Sequence, residues 1–290
     1  MPRRLSGAVV AITGASSGIG RATAAAMAAK GATLALIARD EHALGRVADE
    51  CRTRGAAVLA EPVDVADEPA VGEFARRVTA ELGRIDVWVN NAGVMLYGRF
   101  EDTPSDAWRR VMEVNLFGQI HGSRAALPRF RAQGGGVLIN VSSVWGRVPS
   151  PYVSAYVTSK FAIRAFSECL REEVDDDPEI HVVTVLPQAV DTPMWRRAAN
   201  FSGRNTRALP LARSAEAIAQ RIVWCAEGPK REITDRRAGR GLELANGIAP
   251  KLWSRLAPRV MERLAFSSGP SPNSPGNLFE PLHERDPTTP

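Results

Sequence analysis

In the stretch Ser154-Ala155-Tyr156-Val157-Thr158-Ser159-Lys160 a phenol and an ammonium stand four residues apart, a spacing that sets both on one face of a helix. A phenol has an ordinary pKa of about 10 and is a poor base at neutral pH, and a nearby ammonium favours its anion. With only three tyrosines and four lysines in 290 residues, the pairing carries weight, although a surface Tyr and Lys would read the same. Far upstream, Thr13-Gly14-Ala15-Ser16-Ser17-Gly18-Ile19-Gly20-Arg21 places three glycines between a short apolar run and an Ala-rich segment. Such a turn brings backbone N–H groups and a helix N-terminus against a pyrophosphate. A glycine-rich turn also serves merely to pack a helix on a sheet; its place at the head of a strand–helix series favours the phosphate.

The elements that must position these groups follow from periodicity. Short β-branched runs at 9–13, 33–38, 58–62, 85–90, 137–141 and 181–186, with a weaker seventh at 232–235, are too apolar for a sheet with one wet face. Between them lie helical patterns at about 20–30, 41–54, 67–82, 105–132, 152–175 and 214–227. The alternation predicts an α/β, Rossmann-type doubly wound parallel sheet of six to seven strands with helices on both faces. Residues 1–240 are read as this dinucleotide-binding and catalytic unit, 241–266 as an amphipathic helix pair broken near Pro258, and 267–290 as a Pro-rich tail. The tail buries too little apolar surface to order itself. Leu278 and Phe279, with Leu282, are expected to pin it to an apolar pocket near the amphipathic segment.

Composition removes several function classes. The formal charge is +5, but its arginines are scattered among acids, so no nucleic-acid partner is expected. Cys51, Cys169 and Cys225 lie too far apart for a disulfide framework or a metal knuckle, and no metal site is expected. No stretch of eighteen apolar residues and no signal-peptide pattern occurs, which predicts a cytoplasmic protein.

Taken together, Thr13-Gly14-x3-Gly18-x-Gly20, Asn90-Asn91-Ala92-Gly93, Asn115, Ser142-Ser143, Tyr156-x3-Lys160 and Pro187 stand in the order of a known family. From about residue 5 to 240 the chain resembles the short-chain dehydrogenase/reductases of the short, single-domain type. The resemblance implies Tyr156 as general acid/base and Ser143 as hydrogen-bond donor to the substrate oxygen. It further implies that Lys160 holds the nicotinamide ribose and lowers the tyrosine pKa, and that Asn115 orders a proton-relay water. The cofactor contacts it implies are Gly14, Ser16, Ser17, Gly18, Ile19, Gly20, Asn91, Ala92, Gly93, Tyr156, Lys160, Pro187, Val190 and Thr192, with Asp64 and Val65 beside the adenine. Gln188 departs from the pattern, standing where the family has glycine.

Ala38-Arg39-Asp40 closes the second strand, where an acid accepts from a 2′-hydroxyl and an arginine neutralises a 2′-phosphate. Arg39 favours NADP, with NAD the alternative if Asp40 takes its place. The function expected is hydride transfer between this cofactor and a small-molecule ketone or secondary alcohol. Residues 188–212 should form the substrate loop, with Met194, Trp195 and Phe201 as apolar contacts amid Arg196, Arg197, Arg204 and Arg207. Two other readings compete: a non-catalytic NADP-binding scaffold, which would not need Ser143, and a membrane-peripheral protein using the basic row Lys251, Arg255, Arg259 and Arg263. Against the second stands the fact that the same row describes any solvated helix face. A homodimer or homotetramer is implied by the resemblance, paired through 105–132 and 152–175. Leu116, Phe117, Ala125, Phe161, Ala165 and Phe166 would otherwise leave apolar patches in water.

Overall fold

Continuous β-branched runs become central strands because both faces of each are covered. The computed structural model describes residues 4–210, 212–234, 241 and 247–282. Seven strands form one parallel sheet: β1 (Val9–Thr13), β2 (Thr33–Ala38), β3 (Val58–Pro62), β4 (Val87–Asn90), β5 (Gly136–Val141), β6 (Ile180–Leu186) and β7 (Glu232–Thr234). Their order across the sheet is β7-β6-β5-β4-β1-β2-β3. The order reverses between β1 and β4, and the crevice beyond the carboxyl ends at that point is where ligands bind in such sheets.

The side-chain period of two sends alternate residues to two cores. Val10, Ile12, Leu34 and Leu36 face one side with Met27 of α1 (Gly18–Ala28), Leu44 of α2 (Glu41–Arg52) and Ile222 of a later helix, Ala215–Glu227. Val9, Ala11, Ala35 and Trp88 face the other with Phe74 of α3 (Glu68–Leu82) and with Phe130. The strand boundaries agree with the sequence expectation to within two residues wherever both can be compared; Asp235 lies outside the described residues.

The helix expected over 105–132 runs from Ser105 to Gln133, with a π-helical stretch, Glu113–Phe117, between α4 (Ser105–Met112) and α5 (Gly118–Gln133). Three expectations are corrected. Pro258 does not break the amphipathic segment; it sits inside one continuous helix, Pro250–Ala265, although 242–246 lie outside the described residues. Ala125 does not face water but is buried, while Phe117 and Phe161 are exposed. Leu278 is buried as expected, yet in the cluster that holds Val94, Leu96, Val111 and Ala199 and not against 242–266; Phe279 and Leu282 remain half exposed. Residues 283–290 lie outside the described residues. The three cysteines are free thiols, and among the described residues no helix is long and apolar enough to cross a membrane.

Candidate active site

The glycine turn is shaped by close approach. Gly14 has φ +64°, and a Cβ there would lie 2.7 Å from the Ala92 Cα. At Gly20 a Cβ would lie 2.2 Å from the carbonyl oxygen of Gly14. Asn91 latches the turn through its amide, which donates to the carbonyl oxygens of Thr13 (2.9 Å) and Gly14 (3.2 Å), and the Thr13 hydroxyl accepts from the N–H groups of Asn91 and Ala92. The Asn91 side chain therefore shapes the loop. Backbone N–H groups and the start of α1 are left to face the groove, the arrangement that holds a phosphate.

Asn115 sits in the π-helical stretch, a device that appears mostly where a helix is bent to aim a side chain. Its carboxamide accepts from Val94 N (2.8 Å) and donates to Val94 O (3.0 Å) and to Ser159 Oγ (3.1 Å). These bonds tie the π-helical stretch to the loop after β4 and to α6 (Ser154–Glu173). Beneath them Asn90 donates to Asn140 Oδ1 (2.9 Å), Asn140 to Ser167 Oγ (2.9 Å), and Gln119 to the Val141 carbonyl (3.0 Å). Sequence reading passed over Gln119, Asn140, Ser159 and Ser167, because isolated polar residues in apolar segments show their pairing only in three dimensions.

Ser143 follows β5, and its hydroxyl accepts from Trp145 N (3.2 Å) at the head of a short 3-10 turn. Ser142 is support, donating to the Lys160 carbonyl (2.8 Å). Tyr156 and Lys160 stand one turn apart on α6, both buried. Burial pushes the Tyr156 phenol up to about 12, and a hydrogen bond with Ser143 pulls the other way. Burial also drives the Lys160 ammonium down to about 7; its Nζ donates to the Val141 carbonyl (3.0 Å) and lies 5.3 Å from the centre of the Tyr156 ring.

That depressed value has a measurable sign. Between about pH 7 and 10 the unfolded chain keeps the Lys160 proton and the folded chain does not, so stability from this group rises with pH across that window. Lys160→Met is expected to flatten the rise, read as the pH dependence of the urea midpoint. An unchanged slope would show that Lys160 is not the titrating group.

One cavity of about 430 Å3 joins these parts. Gly14, Ser16, Ser17, Gly18, Ile19, Arg39, Asp64, Val65, Asn91, Ala92 and Gly93 line one part of it, and Ser143, Tyr156, Lys160, Pro187, Val190 and Thr192 another. Gly20 and Asn115 are not on its wall; they act on the loop and the helix behind it. Asp40 caps α2, accepting from Ala43 N (2.9 Å), so its carboxylate is engaged at the helix start and Arg39 is the residue that closes β2. At the far end the wall is Met95, Trp145, Met194, Trp195, Leu209 and Leu264. Trp145 meets Tyr156 edge-on at 5.9 Å and Trp195 at 6.2 Å. Phe201, expected in this wall, packs against the core instead, while Trp145 and Leu264 were not expected there. Gln188 lies on the wall with its side chain engaged. Among the described residues no cluster of His, Cys, Asp and Glu has the makings of a metal site.

Comparison with known proteins agrees with this geometry. Residues 8–202 match the family model described as short chain dehydrogenase. Over 98% of its length the chain is 31% identical to an uncharacterized oxidoreductase, YxnA, of Bacillus subtilis, of which the match covers 82%. An alcohol dehydrogenase from the archaeon Thermococcus sibiricus, solved with 5-hydroxy-NADP, superposes with a TM-score of 0.68 at 30% identity, covering 78% of this chain and 94% of that one. A short chain dehydrogenase from Mycobacterium paratuberculosis bound to NAD gives a TM-score of 0.73 at 27% identity, covering 82% of this chain and 100% of that one. The parallel sheet, the glycine turn at its reversal point and the matched span over most of the chain place this protein in the short chain dehydrogenase family of oxidoreductases.

Proposed function

We propose that the protein interconverts a carbonyl compound and a secondary alcohol with a nicotinamide dinucleotide, using Tyr156 as the acid/base. The observation that carries this reading is the buried Tyr156 hydroxyl, bonded to Ser143, in a cavity continuous with the glycine turn. The turn suits the dinucleotide, since the space a Cβ would fill is taken by the Ala92 backbone at Gly14 and by the turn's own Gly14 carbonyl at Gly20. When bound, the nicotinamide supplies or accepts the hydride.

The chain's own residues handle the proton. With its pKa near 12 the phenol is neutral and holds the proton that a carbonyl oxygen takes on reduction. Ser143 donates a hydrogen bond where negative charge develops on that oxygen. Lys160, near its midpoint at neutral pH, regains its charge beside any added anionic group and lowers the cost of leaving Tyr156 as phenolate. Arg39 supports NADP over NAD, because a guanidinium at the end of β2 matches a 2′-phosphate and Asp40 is engaged as a cap.

The wall of two tryptophans, two methionines and two leucines favours a bulky, largely apolar substrate. A panel of ketones, secondary alcohols and steroid-like or acyl substrates, followed by NADPH and NADH absorbance, tests the reading. Turnover of none of them alongside tight coenzyme binding would favour the non-catalytic scaffold. We further read 1–240 as the catalytic unit, the later segments as additions to its wall, and Phe117 and Phe161 as parts of an oligomer contact. Light scattering at micromolar concentration should give at least a dimer; a mass of 31.3 kDa would reject that contact.

A further inference from the structure

The C-terminal segment runs as a strap from the substrate loop to the end of β2. Phe266–Pro270 pairs antiparallel with Arg204–Thr206. Ser274 and Asn200 then exchange backbone hydrogen bonds (2.9 and 2.8 Å), and Asn277 N donates to Arg197 O (2.9 Å). Gly276 permits the crossing: φ is +53°, and a Cβ would lie 2.5 Å from the backbone of Ala198 and Ala199. Leu278 is fully buried, and Asn277, Pro281 and Leu282 form part of the wall of the cavity that holds the glycine turn.

The strap's main chain ends on Arg39. Arg39 Nη1 donates to the carbonyl oxygens of Leu278 (2.8 Å) and Phe279 (3.0 Å), and Nη2 donates to that of Asn277. Arg110 Nε donates to the same Leu278 oxygen (3.0 Å), and the Arg110 guanidinium pairs with Asp64. Two guanidiniums thus meet three carbonyls and two carboxylates, those of Asp64 and Glu113, both on Arg110. The carboxylates pair with Arg110, while the carbonyls around Arg39 solvate its charge without cancelling it. Arg39 is also partly desolvated, which strengthens its field. Its three bonds leave Nε and one Nη2 proton, two of the five guanidinium donors, without an acceptor among the described residues.

We propose that the strap carbonyls of Asn277, Leu278 and Phe279 position Arg39, holding its guanidinium as a pre-set fork for the 2′-phosphate of NADP(H). This rests on the reading of Arg39 as the phosphate partner. A long side chain fixed before the ligand arrives loses less rotamer freedom on binding, so the strap strengthens NADPH more than NADH. The strap is therefore a determinant of cofactor preference that lies about 240 residues along the chain from the residue it acts through.

The test is a set of coenzyme titrations by fluorescence on the unaltered protein, on full-length Leu278→Asp, and on a chain ending at Ser271, each with and without Arg39→Ala. Arg39→Ala alone should weaken NADPH about 10- to 100-fold and NADH little. Each strap variant should lower the NADPH-to-NADH preference about three- to tenfold, and Arg39→Ala should then cost less than it does with the strap docked. A preference unchanged or raised in both strap variants overturns the proposal: the strap would then be a plain wall or a competitor of the phosphate. An unaltered protein whose coenzyme affinities do not respond to Arg39→Ala overturns the underlying reading of Arg39 instead.

Discussion

Tyr156→Phe is expected to lower kcat about 10²- to 10⁴-fold while NADPH affinity stays within a few-fold. The substitution removes one hydroxyl and leaves the ring, its edge-on contact with Trp145 at 5.9 Å and the helix that carries it. What disappears is the proton that a neutral phenol holds for the substrate oxygen, together with the bond to Ser143. Ser143 keeps its contact with Trp145 N and can still polarise a carbonyl, which accounts for residual turnover well above none. Single-turnover absorbance of bound NADPH separates chemistry from coenzyme release. Retention of a third or more of the unaltered kcat would rule Tyr156 out as the acid/base.

The central strands were legible because burial on both faces demands nearly uninterrupted apolar runs, and β1, β2 and β5 carry such runs between clear breakers. The glycine turn and the Tyr156–Lys160 pair were legible for a related reason. Each is local, a few residues whose spacing alone fixes their geometry.

The π-helical stretch at Asn115 was not local in this sense. Residues 105–132 have good helical periodicity throughout, and the extra residue in the turn is fixed by hydrogen bonds to Val94 and Ser159, 21 and 44 positions away. The strap was hidden by its composition. Prolines and serines read as unordered, yet its order comes from Asn200, Arg197 and Arg39, which are distant in sequence and supply the backbone partners it lacks. Burying Leu278 contributes about 1.5–3 kcal/mol, and the prolines reduce the entropy lost on docking. Its placement against α4 and not near 242–266 reflects the crossing at Gly276, which only the folded substrate loop reveals.

Gly20→Ala should weaken NADH and NADPH alike, by about 100-fold or more, in contrast to the selective loss expected at Arg39. The added methyl would lie 2.2 Å from the Gly14 carbonyl oxygen and 2.7 Å from Asn91 Nδ2, inside the latch that closes the turn. Neither neighbour can yield cheaply: the first is backbone, and the second is held by Thr13 and Gly14. Overpacking of this kind costs about 1–3 kcal/mol, and a turn pushed open also loses charge-assisted N–H contacts to the pyrophosphate worth about 1.5–3 kcal/mol each. A 100-fold loss needs only about 2.7 kcal/mol, so one displaced contact plus modest strain suffices. Because the pyrophosphate is common to both coenzymes, the ratio of their Kd values should not move. The urea midpoint, measured in parallel, separates a misshapen turn from a chain that no longer folds. If both coenzymes bind within threefold of their unaltered affinities, the turn tolerates the methyl and the backbone of residues 14–20 is not the phosphate cradle.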